Sequence, residues 1–426
     1  MGEDMPHTMI EKIFASHLRD TREKVEPGRI VWIMIDVRSA RDFGGANVVA
    51  HLKKHYPDRP VSDPSKTLFT LDCNSPATTI GYADNQQTCR VFAQKHGLKV
   101  YDVGLGIGSH ILIEENYAQP GRTAVGTDSH MNILGAIGCF GQGMGDQDIA
   151  FVWANGYTWF EVPETIKITI KGDIQFPTSA KDITLMLCGE LGTTKLLGKA
   201  VEFYGGAIHA MSVDERITLA SMATEMGAIA ALIMPDEMTK DFDGFPYDPD
   251  EYGEFKADED AQYAEELTFD INDLRPLVAR PGSPNDIAPV ADVAGRKIDT
   301  AFIGSCTNGR LSDMDVAATF LRREAHIAEG RTLKVVPATR RVYMEMMKRG
   351  LLERFVGVGA MVQSAGCGGC AAGQVGMTGE GEVQVSTSNR NFRGKQGKGD
   401  TYLSSPATAA ASIMAGEIID PGEALK

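Results

Sequence analysis

The sequence predicts an α/β protein assembled from several parallel sheets, and three observations predict it. Short β-branched runs alternate with longer stretches of helical periodicity. At 426 residues the chain exceeds the length of one ordinary core, so two or three packed units are expected. Several expected strands also run straight into small, polar or metal-capable residues. Phe69, Thr70 and Leu71 lead into Asp72 and Cys73; Ala124 and Val125 into Thr127, Asp128, Ser129 and His130. Ala301, Phe302 and Ile303 lead into Ser305, Cys306, Thr307 and Asn308, and Val383 to Val385 into Ser388, Asn389 and Arg390. Ligands of α/β sheets bind at the carboxyl ends of strands, so four such ends imply one site shared between units.

In chain order, residues 38–56 read as largely helical, with Ala46, Val49 and Ala50 on the apolar side. Strands are expected at 66–71 and 98–103 around a helix at 86–97 that glycine stops. Further strands are expected at 122–126, 165–170, 300–303, 332–337 and 383–385, and helices at 182–187, 214–226, 312–322 and 341–349. Residues 236–274 turn acidic and aromatic, with Phe242, Phe245, Tyr247, Tyr252 and Tyr263, and read as a surface excursion; a partner-docking surface is the alternative. Pro276, Pro281, Pro284 and Pro289 follow, which places the main boundary near 284: residues 1–284 hold two packed α/β units and 285–426 a third.

Composition narrows the function. A formal net charge of -15 argues against non-specific nucleic-acid binding, which needs basic patches. No apolar stretch approaches the roughly 20 residues that span a bilayer, and the start lacks a leader pattern. A cytoplasmic protein is expected. Seven cysteines, odd in number and unevenly spaced, point to thiol or metal chemistry rather than disulfide staples.

Cys367 and Cys370 form a C-x-x-C flanked by glycines that let backbone amides face sulfur, and Cys306 follows a strand about 60 residues upstream. A lone C-x-x-C also fits a redox pair or half a zinc site. No second close pair or His-x-x-His completes four zinc ligands. Three thiolates suit a cubane whose fourth iron stays open to act as a Lewis acid. Cys89, Cys139 and Cys188 read as buried small hydrophobes.

The strings GSCTNGR (304–310), GCGGC (366–370), GTDSH (126–130) and NRNF (389–392) resemble the signature segments of the aconitase superfamily over nearly the whole chain. Length places the resemblance closest to the large subunits of the isopropylmalate dehydratase and homoaconitase branch. It implies three α/β/α domains of aconitase type without the swivelling fourth domain, which a small partner subunit supplies together with a catalytic serine. It further implies a 4Fe-4S cluster on Cys306, Cys367 and Cys370, and reversible dehydration of a hydroxy di- or tricarboxylic acid.

Carried over position by position, the resemblance assigns catalytic roles to His110, Asp128, His130 and Glu225, with Asp72 and Cys73 at the first strand end. The pair Asp128 and His130 is expected to form a carboxylate–histidine hydrogen bond. Arg390 matches a substrate-carboxylate arginine, a role that a planar fork suits. Ser129, Asn389 and Lys395 complete the substrate set, and Asn308 is a supporting group. Three positions depart from the family pattern: Cys73 stands where a histidine is usual, Ser221 where an asparagine is, and Lys395 where a second arginine is. The substrate class thus covers 3-isopropylmalate first, with homoaconitate, methylcitrate and 2,3-dimethylmalate types as alternatives. A reading of another class makes Cys73 a fourth cluster ligand and the protein a redox or iron-sensing module. A zinc or thiol-redox protein is the third.

Overall fold

The computed structural model describes residues 7–240, 242, 253–321, 325–370 and 374–426. Three sheets and a short ribbon carry the chain. The first sheet has five parallel strands in the order Lys99–Tyr101, Thr67–Thr70, Val37–Arg41, Thr123–Gly126 and Phe140–Gly143. Thr67–Thr70 and Thr123–Gly126 are buried at every residue, as strands covered by helices on both faces must be. Helix Ile80–His96 opens on Thr79, whose hydroxyl accepts the Tyr82 N–H, and closes on Gly97 in the left-handed region.

Here the structure corrects the expected helix over 38–56. Val37–Arg41 is a central strand, paired with Thr67–Thr70 on one side and Thr123–Gly126 on the other; the helix is Gly45–His55. Central pairing on both edges outweighs the mixed polarity of Arg38 and Ser39, both of which are buried. The apolar face of the helix is Val48, Val49 and Leu52; Ala50 is exposed.

The second sheet, also parallel, orders Ala230–Ile233, Ala200–Tyr204, Thr165–Lys171 and Glu265–Asp270. It shares a hydrophobic core with the first: Leu68, Ile111 and Leu134 pack in one cluster with Ile166, Ile183 and Ile217. Gly135 allows the closest approach, since a Cβ there would fall 1.5 Å from the Ala231 carbonyl oxygen. The helix expected at 182–187 runs Ala180–Leu191 from a Ser179/Asp182 capping box. The one expected at 214–226 is Val213–Met222 followed by a 3-10 turn, Ala223–Met226, that redirects Glu225.

Part of the acidic 236–274 stretch is structural. Glu265–Asp270 is the edge strand of the second sheet, its residues alternating half-buried and exposed, which explains the charges on it. Phe242 packs 5.2 Å from the Arg310 guanidinium, and the Tyr263 hydroxyl donates to buried Glu202 at 3.0 Å. Phe245, Tyr247 and Tyr252 lie outside the described residues, as does Arg322.

The third sheet orders Ile287–Pro289, Leu277–Ala279, Asp400–Ser404, Val383–Ser386, Thr300–Ile303, Thr332–Val335 and Met361–Val362. Leu277–Ala279 runs antiparallel to both neighbours; the strands from Asp400–Ser404 to Met361–Val362 are parallel. The proline-rich stretch therefore belongs to this sheet, and sheet membership changes between Asp270 and Leu277, where the sequence places the break near 284. Pro289 is tolerated because its strand is at the edge. Helices Leu311–Phe320 and Arg340–Lys348 lie close to their expected bounds.

Candidate active site

Strand ends of the first and third sheets meet at one cavity of about 300 Å³. Arg41, Cys73, Ser129, His130, Cys306, Cys367, Cys370, Arg390 and Lys395 line it. A cavity of about 360 Å³ between helices of the first sheet is lined by Leu52, Tyr56, Val91 and Phe92, and the paired acid–base groups lie elsewhere.

The thiols come from two loops whose backbones permit little else. After Thr300–Ile303 the chain turns at Gly304, where a Cβ would fall 2.6 Å from the Val336 carbonyl oxygen, and Ser305 is held at φ 78, a left-handed conformation costly for a side chain. That turn aims Cys306 inward. Its carbonyl accepts from His110 Nε2 at 2.8 Å, and its sulfur lies 3.6 Å from Asn389 Oδ1 and 3.9 Å from Ser221 Oγ. The second loop is tied to the first sheet: the Cys367 N–H donates to the Asp72 carbonyl at 3.0 Å. All three thiols are buried. Burial, with Cys370 and Asp128 nearby, pushes the Cys306 thiol well above its ordinary pKa, and burial with Cys367 pushes Cys370 up to about 11.

These properties test the fit to an iron-sulfur group. Thiols kept protonated by burial are poor nucleophiles, but they ionise when a bound cation supplies the charge. Among the described residues, the His/Cys/Asp/Glu donors clustered tightly enough for one ion are Asp42, Asp72 and Cys73, not the three cavity cysteines. Wider-set sulfurs suit a multi-iron group better than a lone zinc. Asp42 and Asp72 already accept protein donors: Asp42 from the Cys73 and Asn74 amides and Gln86 Nε2, Asp72 from Arg41 and the Gly108 amide. His110, whose Nε2 bonds the Cys306 carbonyl, keeps a buried Nδ1 with no partner among the described residues. The residues fit.

A cation layer joins the two loops. Arg41 Nε donates to Asp72 Oδ1 at 2.7 Å, Nη1 lies 3.0 Å from Asp128 Oδ1, and Nη2 donates to Cys367 Sγ. Burial opposes ionisation of both acids, with different outcomes. Asp72, with Asp42 and Asp128 close by, is pushed up to about 6 despite Arg41, whereas Arg41 and His130 hold Asp128 below its ordinary value.

Opposite stands a relay through Glu225. His130 Nε2 lies 2.7 Å from Glu225 Oε1, and Arg390 Nε donates to both Glu225 oxygens at 2.9 and 2.8 Å. Burial works against the charge, yet His130 and Arg390 hold Glu225 below the usual carboxylate range. This corrects the expected ring pairing of Asp128 with His130. Asp128 accepts the His130 backbone N–H at 3.0 Å, while the imidazole reaches across 95 residues to Glu225. Ser129 Oγ lies 3.4 Å from His130 Nδ1.

The remaining expected residues divide. Asn389 donates to Ser221 Oγ at 3.0 Å and so stands behind Cys306; Lys395 lines the mouth beside Phe392. His110 is fully buried, burial with Arg310 lowers its pKa to about 3, and its Nε2 bonds the Cys306 carbonyl. Asn308 turns away, donating to Asp313 and Thr218.

Sequence reasoning missed three residues. Arg41 ends a strand hidden by the helical reading, and the strand-end rule finds it once that strand is recognised. Lys181 is fully buried, donates to the Thr387 and Ser388 carbonyls at 2.9 Å each, and fixes the turn before Asn389 and Arg390. Arg310 pairs with Glu114 of the first-sheet segment and Asp214 of the second, pinning all three sheets together.

Parallel α/β sheets whose strand ends set thiols, a carboxylate–histidine pair and cations on one cavity make a site equipped for acid–base chemistry beside a thiol-held group. The chain belongs to the aconitase family: the family model, described as aconitase (aconitate hydratase), matches residues 11–297 and 291–416. It is 41% identical to 3-isopropylmalate dehydratase large subunit 1 of Methanopyrus kandleri, over 98% of this chain and 99% of that one. It is 40% identical to a probable methanogen homoaconitase large subunit of Methanosarcina mazei, over 91% and 99% of the two chains. In fold it resembles aconitase X of Thermococcus kodakaraensis, with a TM-score of 0.53 at 14% identity, over 86% of this chain and 88% of that one.

Proposed function

We propose that this chain is the cluster-bearing large subunit of a 4Fe-4S hydro-lyase that reversibly dehydrates a hydroxy di- or tricarboxylic acid, with 3-isopropylmalate the first substrate. The observation that carries the reading is the shared cavity: Cys306, Cys367 and Cys370 open onto the space that His130, Arg390, Lys395 and Ser129 line. The three cysteines would hold the cluster, which when bound supplies a Lewis-acidic iron for the substrate hydroxyl.

The chain's own residues do the rest. Arg390 spends Nε on Glu225 and presents its other nitrogens to a carboxylate; Lys395 adds a point charge at the mouth. With Nε2 engaged by Glu225, His130 moves its proton at Nδ1, on the Ser129 side. Asp128 and Ser109 fix the segments that carry the two histidines.

A small partner subunit with a swivelling domain completes the site in this reading; the large-subunit names of the relatives support it. Three sheets support three α/β/α domains. Seven thiols outside any disulfide support a reducing compartment, the cytoplasm. The test is to purify the chain anaerobically with its co-encoded small subunit and assay 3-isopropylmalate, homoaconitate, methylcitrate and 2,3-dimethylmalate by absorbance of the unsaturated product. Turnover of 3-isopropylmalate is expected; inertness toward all four with cluster and partner intact contradicts the reading.

One observation favours a second reading. Cys73 is buried on the same cavity, and the adjoining Cys367 together with burial pushes its thiol well above its ordinary pKa. A fourth thiolate there closes the cluster and makes the protein a redox or iron-sensing module. It predicts a cluster that resists mild oxidation and becomes labile in Cys73→Ser; lability already in the parent contradicts it.

A further inference from the structure

One guanidinium serves three groups that lie far apart in the chain. Arg41 meets Asp72 at 2.7 Å, Asp128 at 3.0 Å and the sulfur of Cys367, with only 11% of its side chain exposed. Each partner holds a further segment. Asp72 Oδ2 accepts the Gly108 amide at 2.6 Å, two residues before His110, and Asp128 accepts the His130 amide at 3.0 Å and the Ser109 hydroxyl at 3.3 Å. The Cys367 amide, in turn, donates to the Asp72 carbonyl. Both histidine segments and one cysteine loop therefore take their relative positions from a single planar fork. The directions of the bonds to Asp72 and Cys367 are fixed by that plane, with Asp128 held as an ion pair, and a lysine ammonium does not reproduce them.

We infer that Arg41 is a positioning residue of the site, which sets the Cys367 loop against Asp72 and Asp128 and, through its bond to the Cys367 sulfur, makes an iron-sulfur group bound there easier to reduce. The inference rests on the three-cysteine reading above. Reduction adds negative charge to the cluster and its sulfurs, so a donor and a positive charge at one sulfur stabilise the reduced form. Arg41 transfers no proton, since its guanidinium stays charged throughout the working range. A cation acting by charge alone would leave Arg41→Lys at the parental potential and lower only Arg41→Gln.

The experiment compares the parent with Arg41→Lys and Arg41→Gln, each cluster-loaded and assembled with the small subunit. Potentiometric titration is followed by electron paramagnetic resonance, with iron content and melting temperature measured in parallel. The expected result is a reduction potential that falls from parent to Arg41→Lys to Arg41→Gln. Iron retention or kcat falls roughly 10- to 100-fold in Arg41→Gln, the usual effect of losing an outer partner of a metal site. Folded variants at the parental potential overturn the inference alone. Unfolding of both variants marks Arg41 as a structural cation and overturns it too. A parent that takes up no iron overturns the three-cysteine reading and the inference with it.

Discussion

The thiol end of the cavity and its acid–base end are built by different means. Cys306, Cys367 and Cys370 sit on short glycine-bearing loops whose backbone conformation fixes them; Ser305 is even held in a left-handed conformation to aim Cys306. The acid–base end has no such local frame. His130 meets Glu225 across 95 residues, and Glu225 meets Arg390 across 165. Ion pairs between sheets hold this end, so it depends on the mutual placement of all three. The thiol end should tolerate loss of the Glu225 pairs, and the acid–base end should not.

The largest effect expected is from Cys306→Ser, which should reduce the iron of the cluster-loaded chain to background while leaving the circular dichroism spectrum unchanged. Retained iron and sulfide would remove Cys306 from the ligand set. Next, Glu225→Gln should cut kcat by roughly 100- to 10,000-fold, because one change releases both the His130 ring and Arg390. Iron content should stay at the parental level, and joint loss of iron would erase the distinction between the two ends.

Arg310→Met probes the joint. Arg310 is 4% exposed between Glu114 and Asp214, and leaving those carboxylates buried without their partner costs about 3–5 kcal/mol by denaturant unfolding. The smallest effect is with pH. Asp72 is pushed up to about 6, so it takes a proton as pH falls through that value and its bond to Arg41 weakens. The kcat/KM profile should drop below about pH 6, and Asp72→Asn should flatten that limb; an unchanged limb assigns it to another group. For stability the sign is opposite. A raised carboxyl pKa favours the fold at low pH, and that contribution is lost as pH rises through 6.

The two ends also differed in how far the sequence revealed them. The cysteines, with their glycines and strand ends, were legible because local chain geometry places them. His130, Glu225 and Arg390 were legible as residues, but not as a chain of partners: nothing local says that His130 turns from neighbouring Asp128 to Glu225. Arg41 was hidden because a buried central strand with two consecutive polar residues, Arg38 and Ser39, lacks strand alternation and reads as helix when its two neighbouring strands are unknown. Lys181 and Arg310 carry no local sign of their roles, which appear only when packing places them between sheets. The edge strand Glu265–Asp270 was masked by the acidity that an exposed edge accommodates.

The proposed ligand set is incomplete, three cysteines for four irons, at the better-framed end of the cavity. The direct measurement is electron paramagnetic resonance of the anaerobically loaded chain with its small subunit after mild oxidation, with activity followed alongside. Ready loss of one iron to a 3Fe-4S form is expected, with loss of turnover and return of both on adding ferrous iron. A cluster that keeps all four irons under that treatment, or bound zinc without sulfide, would contradict it.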